Sequence, residues 1–192
     1  MNTALRATAI LADPASEWMQ IEQESGDAAY LLSRYVAVLG LIPALSSFVG
    51  ASLIGVEVPG VGSVRATIFD GLFGAIFGYV ETFVAVLLLG LLIDLLAPLF
   101  GGRRNFDSAL KLAVYSYTPV WLTGIFLLLP GLRFLMLIGL YSIYLLWIGL
   151  PRLTKSSEQS LPSYVFVIVA CAVVLGYAAA AAQRVIFGTP GL

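Results

Sequence analysis

Between Leu72 and Phe100 the chain reads LFGAIFGYVETFVAVLLLGLLIDLLAPLF, an apolar run broken by only two charged side chains, Glu81 and Asp94. As one helix it is about 43 Å long at 1.5 Å per residue, more than a hydrocarbon core of about 30 Å requires. Such a run cannot be folded into a soluble surface. The rest of the chain agrees: of 192 residues, 60% are hydrophobic and 11% charged, where a soluble domain carries about a quarter charged residues. The sequence therefore specifies an integral membrane protein.

Five apolar segments approach the roughly 20 residues needed to cross a bilayer. They are 31–54 with Pro43 near its middle, 72–100, 109–129 ending at Pro130-Gly131, 134–150 ending at Pro151, and 164–186. The expected architecture is an all-α, polytopic bundle of five transmembrane helices, residues 31–192, preceded by a short amphipathic helix within residues 1–30. The second segment must tilt, kink or begin in the interface, and Gly71, Gly74 and Gly78 cluster at its start. With five spans the termini lie on opposite sides. One side collects Arg6, Arg103, Arg104, Lys111, Arg152 and Lys155, the other Arg65, Arg133 and Arg184. Short basic loops stay cytoplasmic, which predicts a cytoplasmic N-terminus and an extracytoplasmic C-terminus. Trp18, Tyr30, Trp121, Tyr141 and Trp147 are candidate interfacial anchors or packing residues.

The opening stretch differs. ALRATAILA is short and interrupted by Arg6, which argues against a signal peptide. In ADPASEWMQIEQESGD, Asp13 can cap a helix, Pro14 suits its first turn and Glu17 complements its dipole. Trp18 and Ile21 share a face opposite Glu22 and Glu24. The acidic face disfavours attachment to anionic lipid, so the helix is expected to pack on the bundle or to meet a partner.

A carboxylate in hydrocarbon is costly, so Glu81 and Asp94 mark the candidate site. Helical geometry separates them by about 19–20 Å and about 220° around the axis. They cannot share one ion or proton. Each needs its own donor, and the third segment offers Lys111, Tyr115, Ser116, Tyr117 and Thr118. Pro119 removes a backbone donor and frees the Tyr115 carbonyl, so YSYTPVW is either a polar, pocket-lining kink or a static one. The candidate intramembrane site is thus Asp94, Glu81, Lys111, Tyr115, Tyr117 and Thr118, with the kink at Pro119. The alternative is that these groups only fix helix pairing. The GxxxG at Gly74 to Gly78 and the small-residue face 176–182 are candidate contacts with a neighbouring helix, a protein partner or a second copy.

Other chemistry is poorly provided for. There is no histidine, and the single cysteine, Cys171, sits in the apolar run VFVIVACAVVL. No nucleotide-binding loop, nucleophile elbow or metalloprotease motif is present, and no hydroxyl has an evident base. The expectation is a protein without catalytic activity, cofactor or metal. The net charge of −1 excludes a basic nucleic-acid footprint.

The run FGGRRNFDSALKLAVYSYTPVWLTGIFLLLPGLRFLMLIGLYSIYLLWIGLPRLTK, 100–155, resembles bacterial members of the Yip family, the Ypt/Rab-GTPase-interacting membrane proteins. The resemblance is carried by FGG, by ALKLAVYSYTPVWL and by YSIYLLWIGLP, and ILADPASEWMQIEQES is similar to that family's Pro-x-x-x-Trp-x-x-Ile-x-x-Glu segment. It implies five transmembrane helices, a cytoplasmic N-terminus and, for a bacterial member, residence in the inner membrane. Eukaryotic members act in endoplasmic reticulum and Golgi trafficking through small GTPases; a bacterium has no Rab cycle, so that partner does not carry over. The expected function is a non-enzymatic organiser of membrane partners or membrane shape. The alternative is a small transporter or a lipid- or ion-handling protein built on the polar site between the second and third helices.

Overall fold

The computed structural model describes residues 2–58 and 62–187; the side chains of Ala182 and Arg184, counted above, fall outside what is described. The chain starts with a helical hairpin, α1 (Thr3–Ala12) and α2 (Pro14–Gln23). Asp13 makes the turn. Its N–H closes α1 on the Ala9 carbonyl, while its side chain accepts from the Ser16 N–H and Pro14 opens the first turn of α2. The capping pattern read from ADPASEW is therefore realised, but with two helices where one was expected.

Among the described residues, four helices are long and apolar enough to cross a membrane. The first, α3 (Ala28–Ile54), starts at an Asp27 cap and is wound as π-helix over Leu31–Val36 and Val49–Ile54 on either side of Pro43. A three-residue antiparallel pair follows, β1 (Val56–Val58) with β2 (Gly62–Val64), in register Val56 to Val64. It is a small departure from an all-α chain. Next, α4 (Ile68–Phe100) is one continuous helix that tightens to 3-10 at Ala97–Phe100 around Pro98. Its start is an Asp70 N–H capped by the Thr67 hydroxyl at 3.1 Å.

The third predicted segment is not one helix. It comprises α5 (Phe106–Ser116), a turn at Tyr117, α6 (Thr118–Thr123) and a 3-10 stretch Gly124–Leu128. The break falls where Pro119 withholds a backbone donor. This segment is nonetheless the centre of the bundle, because all of 109–116 is buried and α5 packs on α3, α4 and the following long helix. That helix, α7 (Gly131–Thr154), opens within a 3-10 stretch, Pro130–Leu140, and is α-helical over Tyr141–Thr154. Lys155, in the left-handed region at φ 56°, ends it. The last helix is α8 (Leu161–Phe187).

Close helix approaches occur at glycines other than the GxxxG pair. A Cβ on Gly50 would lie 2.1 Å from the Leu127 carbonyl oxygen, and one on Gly124 would lie 2.6 Å from Pro43 Cβ. Gly74, Gly78 and Gly176 have nothing within 4 Å of that position, so they serve no contact within the described chain. Trp18 and Trp121 are buried in the core rather than placed as anchors, whereas Tyr30 and Trp147 remain exposed.

Candidate functional site

The hairpin is part of the core. Ala7, Ile10, Trp18 and Ile21 belong to the same buried cluster as Leu112, Tyr115, Leu145 and Leu150. Trp18 meets the Tyr115 ring edge-on at 6.3 Å and abuts Gly149, where any side chain would collide with the indole at 2.8 Å. The face predicted from Trp18 and Ile21 is thus docked on the bundle.

Charge follows the apolar face inward. Arg6 is buried, and its guanidinium lies 5.7 Å from the Tyr115 ring centroid, an attractive placement of a cation over an aromatic face. Its Nη1 donates to Glu17 Oε1 at 2.5 Å and its Nη2 donates to Glu24. Burial acts to lower the Arg6 pKa, but hydrogen bonding to Glu24 and the carboxylate charges of Glu24 and Glu17 leave it raised. Lys111 enters from the other side. Its Nζ donates to the Ile21 carbonyl at 3.1 Å and to the Glu24 carbonyl, placing a cation at the negative end of α2. Beside these groups lies a cavity of about 120 Å³, lined in part by Arg6, Glu24, Asp27, Tyr35, Lys111 and Tyr115.

The sequence-predicted residues separate into three places. Lys111 and Tyr115 belong to the hairpin junction. Thr118 lies next to it: its hydroxyl hydrogen-bonds the Tyr35 hydroxyl of α3 at 2.9 Å, and Tyr35 packs edge-on against Tyr115 at 4.9 Å. Tyr117 stands at the break before Pro119 and tilts against Trp121 at 5.5 Å. Asp94 is elsewhere. Its Oδ2 accepts from Arg104 Nε at 3.0 Å and Nη2 at 2.9 Å, and Lys111 is not its donor. Asp94 is 5% exposed, and its Oδ1 is buried without a hydrogen-bond partner among the described residues. Glu81 is a third case, half-buried and accepting from Gln183 Nε2 of α8 at 2.7 Å. Their different partners agree with the helical argument that they act apart.

Two partners were missed in the sequence. Arg6 looked like an interruption in a short apolar run, and Arg104 like one of a loop pair. A signal existed for Arg6: it lies on the face with Ala7 and Ile10, and a cation there needs a buried anion.

The hairpin joined to a bundle with a proline break in its central segment is the arrangement on which a family comparison bears. The Yip1 domain family model matches residues 8–181. This chain belongs to the Yip1 domain family. No curated protein matches it, and no solved structure does. The match starts inside α1, so the Yip1 domain of this chain takes in the α1–α2 turn, α2 and the Glu17, Glu24 and Lys111 members of the ionic junction, with Arg6 just ahead of it. It is a multi-pass membrane protein.

Proposed function

We propose that this Yip1-domain protein is non-enzymatic and organises membrane partners or membrane shape. One observation carries the reading: polar groups inside the apolar segments tie one element to another. Tyr35 joins Thr118, Gln183 joins Glu81, Tyr79 donates to the Ala37 carbonyl at 2.9 Å, and Tyr164 donates to the Ile93 carbonyl at 2.5 Å. Such bonds fix helix pairing in lipid and favour a rigid body that presents surfaces.

On this reading the broken third segment completes a fifth crossing, buried among the others, with the N-terminus cytoplasmic in a bacterial inner membrane. Labelling of single cysteines at positions 5 and 132 in a Cys171→Ser background should find them on opposite sides. Labelling from the same side would overturn the five-crossing topology.

The functional test uses reconstituted vesicles and site-specific photo-crosslinking from exposed Met19 and Phe69. Wild type, Glu81→Gln and Asp94→Asn should give the same crosslinked proteins once protein amount is matched. A proton or ion flux in wild type that either variant abolishes would replace the organiser with the transporter.

A further inference from the structure

An open groove of about 710 Å³ lies where the end of α7, the start of α8 and Glu22 of α2 meet. Its walls include Trp147, Ile148, Pro151 and Leu161, and its charged groups are Arg152, Lys155, Glu22 and Glu158. Lys155 and Glu22 pair with each other. The other ion pairs among the described residues join Arg6 to Glu17 and Glu24, and Arg104 to Asp94. Arg152 and Glu158 take part in none of them. One cation and one carboxylate are therefore left unpaired beside an apolar wall with an exposed indole.

We infer that this groove binds a phospholipid with a zwitterionic, primary-ammonium headgroup. The phosphate meets the Arg152 guanidinium, which suits phosphate geometry. The ammonium donates to the Glu158 carboxylate, and an acyl chain lies along Trp147, Ile148 and Leu161. Trp147 is 42% exposed, as befits an indole held at the headgroup level. Charge selects the class. A purely anionic headgroup gains Arg152 but is opposed by Glu158, and a purely cationic ligand meets the reverse. A quaternary ammonium has no N–H to give the carboxylate.

The test is native mass spectrometry of the full-length protein in detergent. It is titrated with phosphatidylethanolamine, phosphatidylglycerol and phosphatidylcholine of identical chains. Wild type should hold phosphatidylethanolamine roughly three- to fivefold more tightly than the other two, as expected for one partly exposed charge pair. Arg152→Gln should weaken all three. Glu158→Gln should spare phosphatidylglycerol and erase the preference. Arg152 is part-buried in the last turn of its helix and Glu158 is exposed, and an unchanged thermal midpoint confirms that the fold is intact. Equal retention of the three lipids by wild type, or an unchanged preference in Glu158→Gln, would overturn the assignment. Competition by chain-free glycerophosphoethanolamine at equal concentration would also overturn it, by making the ligand a soluble headgroup.

Discussion

Arg6→Met tests whether the hairpin is locked by its buried charge. The Arg6 and Glu17 side chains are 7% and 6% exposed, whereas Glu24 is 42% exposed. Removing the guanidinium lets Glu24 return to water but strands Glu17 against Trp18 and the Tyr115 side of the core. Breaking a buried pair from one side costs about 3–5 kcal/mol. About 3 kcal/mol of that should fall on the hairpin contact, raising its open fraction more than about a hundredfold. The exposed linker Glu24–Asp27 is the place to read it. Limited proteolysis there follows the open population when closing outpaces cleavage. The double variant Arg6→Met/Glu17→Met removes both charges and refills the volume, so it should recover most of the loss. Cleavage of Arg6→Met at the wild-type rate, or a double variant as labile as the sum of the singles, would refute the lock.

The same linker reports further predictions. Trp18→Ala should open the hairpin by about 3–5 kcal/mol through lost burial and the cavity left behind, and Gly149→Ala by about 1–3 kcal/mol, since its Cβ would overlap Leu112 and the Trp18 ring. Both are read as cleavage rates. Gly50→Ala should lower the thermal midpoint in detergent because the obstructing atom is a backbone carbonyl oxygen, whereas Gly74→Ala and Gly78→Ala should hold or raise it, since helix propensity favours alanine by up to about 1 kcal/mol. The hydrogen bonds from Ser16 hold the Asp13 carboxyl below its ordinary value. The cap therefore contributes stability that is full above the unfolded aspartate pKa of about 3.9 and is lost as pH falls through the lower folded value. Cleavage should accelerate on acidification below about pH 4, less so in Asp13→Asn, which keeps a cap without titrating.

Deletion of residues 1–29 follows from the packing as well. The sequence sets residues 1–30 apart from the membrane-spanning part of the chain. With Ile10, Trp18 and Ile21 fully buried in the common core, its removal should destabilise the whole domain, seen as a lowered midpoint and lost monodispersity.

The sequence by itself determined that the chain lives in a bilayer, where its long apolar segments fall, and how α2 begins. Those properties are local: hydropathy is a sum over neighbours, and the Asp13 cap is a bond to a residue three positions on. Helical pitch also keeps Glu81 and Asp94 from sharing one ion as long as the helix between them is unbroken, a continuity that the structure supplies. Only the tertiary structure decided which donor each buried group receives. Lys111 lies close in sequence to Asp94, yet it reaches back 90 residues to the Ile21 carbonyl, leaving Asp94 to Arg104. Arg6 finds Glu17 and Glu24 because the turn at Asp13 folds α2 alongside α1, and it finds Tyr115 because the hairpin docks on α5. Inside a packed bundle a buried charge takes whichever partner packing brings within reach. That choice is made by how helices are placed in three dimensions, and spacing along the chain does not record it.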